Sequence, residues 1–123
     1  MPADYVIINS TPFTLYYPGS GEVDKSFEFT LPAGAKVDSN SILFWFAEFQ
    51  MVSGASWTWR ININTKEVSN RIAYSGTPPA SFHTVIEANV LKEAGNMNNI
   101  EFEVQGSGGG NFKFYDIYLM IQI

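Results

Sequence analysis

The side chains that could do chemistry in this sequence are few, and their spacing does not favour catalysis. His83 is the one histidine, and no motif places a serine or aspartate beside it. Glu101 and Glu103 lie two residues apart on a predicted strand, so their carboxylates are ~7 Å apart, a separation that overlaps that of glycosidase carboxylates. Their alternation with Phe102 explains both as solvent-facing residues. The Gly-rich segment 107–110 is not followed by a helix or a Lys-Ser/Thr pair, as a phosphate-binding loop requires. We therefore expect no enzymatic activity.

Aromatic residues make up 15% of the chain and favour a different chemistry, the binding of sugars. Sugar rings present apolar C–H faces that pack on Trp or Tyr, while Asn, Arg and carboxylate side chains hydrogen-bond to the hydroxyls. The aromatic candidates for ligand binding are Trp45, Tyr74, Phe112 and Tyr118, and the polar candidates are Arg60, Asn62, Asn111 and Asp116. Trp57 and Trp59 share a predicted strand face with Ile61 and Ile63, so we expect them to pack in the core.

The composition describes a folded domain and excludes several function classes. The chain has 123 residues, 46% of them hydrophobic and 15% charged, which is enough apolar surface for one core. Its net charge of −5 argues against a nucleic-acid partner, because such binding depends on neutralising phosphates. Without cysteine there is no disulfide and no thiolate metal site. We expect neither a cofactor nor a resident metal.

Targeting and membrane signals are not evident in the sequence. Residues 1–5 lack the basic start and long apolar stretch of a secretory signal. The longest apolar run, residues 42–47, is strand-sized and far from the ~18 residues that a membrane helix needs. We expect no membrane partner, and the cellular compartment stays open.

Hydrophobic alternation with a period of two dominates the chain, which is typical of β-strands. Residues 26–31, 57–63 and 100–104 each place apolar side chains on one face and polar ones on the other. Further strands are predicted over residues 5–9, 13–17, 41–51, 66–74, 82–88 and 112–122. Turns rich in Gly, Pro and Asn separate the strands, and the helix-like stretch 89–94 has room for one or two turns. The pattern predicts an all-β antiparallel sandwich that forms a single domain over residues 1–123.

Two of these strands, 41–51 and 112–122, are apolar on both faces, whereas a sheet face in contact with water should be polar. In the second strand we expect Tyr115, Ile117, Leu119 and Ile121 in the core and Phe112, Phe114, Tyr118 and Met120 on the opposite face. We expect Trp45 and Tyr118 on the outer surface, because their face is the one that the core does not need. A loop, the N-terminal segment, a ligand or another subunit must cover it, and a homo-oligomer is one prediction.

In the second half of the chain, the order and spacing of certain residues resemble those of a known fold family. Residues 91–96 (LKEAGN), 99–104 (NIEFEV) and 114–119 (FYDIYL) resemble the L-x-x-G-x-N-x-I-x-F … D-I-x-L ending of galactose-binding-domain-like jelly rolls. Residues 57–64 (WTWRININ) resemble the W-x-V-x-I-N-G hairpin of the same group. This group includes many carbohydrate-binding modules, so the resemblance implies a jelly-roll sandwich that binds sugars.

The site residues of that family are not all present here. A ligand-binding Asn often stands two residues before the Asp of the last strand, but Phe114 occupies this position and the nearest Asn is Asn111. Relatives with a structural calcium use an acidic residue near the last strand, which Asp116 matches, together with an N-terminal acidic residue that has no clear counterpart. The resemblance therefore implies the fold more firmly than the ligand contacts.

These observations leave two functions open. The first is a non-catalytic, lectin-like carbohydrate-binding module, which the aromatic content and the jelly-roll cadence favour. The second is a self-assembling structural or interaction subunit that oligomerises through an apolar sheet face, because an obligate interface resembles a domain core cut in half. The two are compatible, since many lectins oligomerise to gain avidity.

Overall fold

The computed structural model describes residues 3–16, 23–51, 56–72, 77–107 and 110–123, and within them the chain forms strands joined by turns. The strands are β1 (Ala3–Asn9), β2 (Phe13–Tyr16), β3 (Asp24–Phe29), β4 (Ser41–Met51), β5 (Ser56–Ile63), β6 (Lys66–Ile72), β7 (Thr77–Ile86), β8 (Asn98–Ser107) and β9 (Gly110–Gln122). In this described part, no helix has the length and apolar character needed to span a membrane.

The strands build two antiparallel sheets that pack face to face. The first sheet has the order β1-β9-β4-β7, and β2 also pairs with β9. The second sheet has the order β3-β8-β5-β6. The predicted antiparallel β-sandwich is confirmed.

The core lies between the sheets and is rich in aromatic rings. Trp59 of β5, at 1% exposure, meets Trp45 of β4 edge to face, with ring centroids 6.3 Å apart. Phe102 of β8 contacts Phe114 of β9 at 5.4 Å. Trp59 is therefore a core residue as predicted, whereas the side chain of Trp57 lies outside the described part of the chain. The alternation in residues 100–104 is also confirmed, because its apolar members are buried.

The prediction that Trp45 lies on the outer surface is wrong. Its side chain is 0% exposed and packs against Trp59 and Phe82. Along β4, Leu43, Trp45 and Ala47 point into the core, and the intervening apolar residues point outward. Because both faces of β4 are apolar, periodicity alone does not say which one turns inward.

A β-bulge in β9 explains why the prediction of which β9 side chains lie in the core is partly wrong. Trp45 pairs with Ile117 and Ala47 pairs with Phe114, so β9 uses three steps where β4 uses two. The extra residue lies at Tyr115 and Asp116. It turns the side chains before the bulge to the opposite sheet face from the one that regular alternation predicts. Phe112 and Phe114 are consequently core residues at 0% exposure and Tyr115 is only half-buried, contrary to prediction. Beyond the bulge, Ile117, Leu119 and Ile121 are buried and Tyr118 and Met120 face outward, as predicted.

One end of the sandwich is held by an asparagine network. Asn64 and Thr65 join β5 to β6 with φ angles of 50° and 72°, as in a tight hairpin turn. The Asn64 Nδ2 group donates to the Val90 carbonyl at 2.9 Å and to Asn98 Oδ1 at 2.8 Å. These bonds tie the β7–β8 connection to the hairpin, and residues 89–94 form turns rather than the short helix that was expected.

Candidate functional site

The outer face of the first sheet carries a continuous apolar surface, which we call the outer panel. Its members are cross-strand neighbours on four strands: Tyr5 and Ile7 of β1, Tyr118 and Met120 of β9, Ile42, Phe44 and Phe46 of β4, and His83 and Val85 of β7. Ile7 is 70% exposed, Tyr5 59% and Val85 51%. A water-facing antiparallel sheet normally presents polar side chains, so the panel needs a functional explanation.

The aromatic rings of the panel form a row across the strands. The rings of Phe44 and Tyr118 are nearly parallel, at an angle of 12° with centroids 5.1 Å apart. The Tyr5 ring is tilted by 60° against Tyr118 at 5.7 Å, and His83 lies 6.1 Å from Phe44. Because β4 and β1 flank β9 on opposite sides, Tyr118 has Phe44 on one side and Tyr5 and its register partner Ile7 on the other.

A groove of about 400 Å³ opens between Tyr118 and β1. It is lined by Tyr5, Ile7, Ser10, Asp116, Ile117 and Tyr118. Its volume lies near the lower end of the ~300–1,000 Å³ range of small-molecule sites. Most of the lining is aromatic or aliphatic, and a carboxylate and a hydroxyl supply the polar part. Such a surface binds a small ring with one apolar face and several hydrogen-bonding groups.

An interruption at the edge of the sheet creates the polar end of the groove. β1 pairs with β9 as far as Ile117, and β2 pairs with it from Phe114 onward, so the bulge residues have no strand partner on this side. Residues 10–12 cross here between β1 and β2. Asn9 shapes the crossing, because its Nδ2 donates to the Thr11 carbonyl at 2.6 Å and its Oδ1 accepts from the Thr11 N–H at 3.4 Å.

The bulge itself is held by a tyrosine–glutamate pair on the side facing β4. The Tyr115 hydroxyl donates to Glu48 Oε2 at 2.7 Å, and this hydrogen bond raises the pKa of Tyr115 above its ordinary value. The Lys113 Nζ lies 5.4 Å from the centroid of the same ring. Tyr115 is thereby directed away from the groove, and its neighbour Asp116 lines it.

Of the residues named from sequence as ligand contacts, the structure brings two to this groove. Tyr118 and Asp116 line it, whereas Trp45 and Phe112 are in the core. Asn111 pairs with Tyr16 and Gln50 on the other side of the bulge. Arg60 and Asn62 belong to β5, in the other sheet. Tyr74 lies outside the described residues, so its role stays a prediction.

Arg60 and Asn62 have partners on the outer face of the second sheet. The Arg60 Nη2 lies 2.6 Å from Glu103 Oε1, and this hydrogen bond and the charge of Glu103 raise the pKa of Arg60. Asn62 Nδ2 lies 3.5 Å from Glu101 Oε1. The two glutamates that resembled a catalytic pair are thus neighbours of β5 polar residues on an exposed sheet face.

Tyr5, Ile7 and Ser10 are groove residues that sequence reasoning missed. Residues 5–9 were predicted to form a strand, but they read YVIIN, and apolar residues on both faces hide the outward pair. The signal that could have found them is the same as for β9: an apolar run on a short strand near the chain terminus. Among the described residues, no group of three or more His, Asp or Glu side chains is placed to hold a metal ion.

Comparison with known proteins identifies the fold. No known protein-family profile and no curated protein sequence matches the chain. The CBM36-1 domain of a multidomain xylanase from the hindgut metagenome of Trinervitermes trinervoides is similar in structure, with a TM-score of 0.53, 13% identity and coverage of 99% of this chain and 98% of that domain. A family 35 carbohydrate binding module from Clostridium thermocellum has a TM-score of 0.52 and 13% identity over 94% of this chain and 97% of the module.

A third similar structure is a much larger protein. Dimeric latent PorU from Porphyromonas gingivalis matches 98% of this chain with a TM-score of 0.67 and 11% identity, but the match spans only 12% of PorU. At these identities the likeness concerns the fold alone. The chain has the jelly-roll β-sandwich fold of the two carbohydrate-binding modules, and the resemblance noted in its sequence is confirmed at that level.

Proposed function

We propose that this protein is a non-catalytic carbohydrate-binding module that holds a sugar in the groove between β1 and β9. The observation that carries the proposal is the meeting of tyrosine rings and a carboxylate in one small groove. Tyr118 and Tyr5 offer apolar ring surface to the apolar side of a sugar, and Asp116 and Ser10 offer hydrogen-bonding groups for the hydroxyls.

The composition of the groove supports binding rather than catalysis. Glycoside hydrolysis uses two carboxyl groups on either side of the scissile bond. Among the described lining residues Asp116 supplies the single carboxylate, and the others are aliphatic, aromatic or hydroxyl-bearing. The two structurally similar modules, which match nearly the whole chain, support the same reading because carbohydrate binding is the role their names give.

Titration with soluble oligosaccharides tests the proposal. Isothermal calorimetry and tryptophan fluorescence across gluco-, galacto-, manno- and xylo-configured series should yield at least one ligand. Tyr118→Ala should weaken its binding about fivefold or more, since one stacked ring is worth roughly 1 kcal/mol. Tyr16→Ala is the matched control, because Tyr16 is an exposed tyrosine of β2 beyond the bulge. Flat heats throughout, or equal effects of both variants, would reject the proposal.

A second candidate, self-assembly through the outer panel, rests on the extension of the panel beyond the groove to Phe46 and Val85. A stable interface buries ~800 Å² of accessible surface on each partner, so an obligate dimer would have to use the panel across all four strands. We rank the sugar hypothesis first because two carbohydrate-binding modules match nearly the whole chain in fold. Light scattering at micromolar concentration decides, and a strict monomer removes the second candidate.

A further inference from the structure

We infer that the groove is a single-ring site for the end residue of an uncharged glycan, with Asp116 as the residue that selects against acidic sugars. This inference rests on the proposed function and names the class of sugar for the same groove. Three features carry it: how the groove is bounded, which charges line it, and how the bulge places Asp116.

The packing of the aromatic row limits how many sugar residues can stack. Phe44 already covers the face of Tyr118 that is turned toward β4. Two parallel rings side by side present their edges to solvent, so they do not form a flat platform for successive residues of a chain. On the β1 side, Tyr5 is tilted by 60° against Tyr118, and the two rings form an angled wall of the groove rather than a flat surface.

The groove is also bounded along its length. The crossing of residues 10–12 places Ser10 at its polar end, beside Asp116. The volume of about 400 Å³ suits one sugar ring and its substituents rather than an extended chain. A glycan would accordingly enter with its terminal residue, and the rest of the chain would point into solvent.

The charge of the lining separates neutral from acidic sugars. Asp116 is exposed, and among the described residues that line the groove none is a Lys, Arg or His. A neutral sugar donates its hydroxyls to the carboxylate in charge-assisted hydrogen bonds. A uronic acid brings a second negative charge with no cation to balance it, on a chain whose net charge is already −5.

The bulge makes Asp116 a specificity residue rather than an incidental surface charge. The bulge leaves residues 115 and 116 of β9 without a strand partner between the end of β1 and the start of β2. This unpaired stretch sets the direction in which their side chains point. Tyr115 is held on the β4 side by Glu48, so its neighbour remains at the groove. The bulge thus changes the direction of the Asp116 side chain at the edge of the β1–β9 pairing, as bulges in other proteins commonly do.

The test compares matched sugars at low ionic strength by calorimetry and by ¹⁵N–¹H NMR titration. The neutral probes are the methyl glycosides of glucose, galactose, mannose and xylose, and the neutral oligosaccharides of each series up to the hexasaccharide. The acidic probes are the methyl glycosides of the uronic acids that correspond to the first three sugars, each with a free carboxylate. We expect affinity per chain end to stay constant beyond the disaccharide, and each uronide to bind about fivefold more weakly than its neutral partner.

Two variants separate specificity from stability. Asp116→Asn should bring the ratio of neutral to uronide affinity close to one, a readout that a purely structural role would not move. Ile7→Trp should block the groove without unfolding the protein, since Ile7 is 70% exposed. Tyr16→Ala should leave both affinities unchanged.

The outcomes distinguish the two levels of the proposal. If no probe binds, carbohydrate binding fails and this inference fails with it. If sugars bind but affinity rises steadily with chain length, the single-ring site is wrong while carbohydrate binding stands. If uronides bind as well as neutral sugars, or if Asp116→Asn leaves the ratio unchanged, the selective role of Asp116 is overturned.

Discussion

The two outer faces of this sandwich cover the same core and differ in almost every other respect. On the second sheet, Arg60 and Asn62 of β5 lie beside Glu101 and Glu103 of β8, and the face is polar and paired. On the first sheet, the outer panel presents aromatic and aliphatic side chains across four strands. A fold that needed only solubility would make both faces like the second.

The contrast supports the proposal that recognition takes place on the first sheet. Among the described side chains of the second sheet, Arg60 and Asn62 lie within hydrogen-bond distance of Glu103 and Glu101. Tyr5, Ile7 and Val85 of the first sheet leave apolar surface in water, which favours binding to whatever covers it. We therefore assign the proposed binding function to the face that departs from the inside–outside alternation, and the following predictions test that assignment.

The largest expected effect is a difference in stability between substitutions on the two faces of β4. Trp45 and Phe44 are neighbours on β4, but Trp45 is buried and Phe44 belongs to the outer panel. Trp45→Ala should cost about 3–5 kcal/mol of the free energy of unfolding, through lost burial and a cavity. Phe44→Ala should cost about 1 kcal/mol, because its ring is already partly exposed. Urea denaturation followed by circular dichroism measures both, and equal losses would mean that the panel is structural.

The second prediction concerns a substitution that makes the outer panel more polar, like the outer face of the second sheet. Val85→Lys adds a charge to the panel on β7, away from the groove. We expect the free energy of unfolding to change by no more than about 0.5 kcal/mol, because surface substitutions usually do no more. Binding of a hydrophobic dye and any self-association should decrease, while sugar affinity should persist. A large loss of stability would show that the chain itself covers this residue.

A third prediction concerns the polar face. Arg60→Ala removes the ion pair with Glu103 and should lower the denaturation midpoint only slightly, because an exposed pair is screened by water and salt. The difference from the unsubstituted protein should shrink further at high ionic strength. Sugar binding should be unchanged, and a loss of affinity would move the site to the second sheet.

The smallest expected effect is a titration. The hydrogen bond to Glu48 raises the pKa of Tyr115, so the folded state favours the protonated phenol. This contribution to stability is fully present below the ordinary tyrosine pKa of about 10 and is lost as the pH rises through the higher folded value. In an absorbance titration, Tyr115→Phe should remove a component that ionises at the alkaline end. An unchanged profile would indicate that the bond to Glu48 is absent in solution.

The sequence predicted one face well and the other only in part. Residues 57–63 and 100–104 alternate between apolar and polar types, so the facing of β5 and β8 could be read directly. The antiparallel sandwich followed from the same pattern and from the turns. On β4 both faces are apolar, and the choice between Trp45 and Phe44 depends on packing with the second sheet, which no local pattern contains.

The groove could not be derived for a different reason. It requires β1 and β9, from opposite ends of the chain, to lie side by side, and it requires a bulge that a regular period does not show. Tyr118 was found because its strand is apolar on both faces. Tyr5, Ile7 and Ser10 join it only through the tertiary pairing of β1.

The most direct test of the account is an NMR footprint of a bound sugar on the ¹⁵N-labelled protein. We predict that the backbone amides of Ile7, Asp116 and Tyr118 shift on titration, while those of Arg60 and Asn62 remain in place. Shifts confined to the second sheet, or to loops distant from β1 and β9, would contradict the claim that the outer face of the first sheet is the recognition surface.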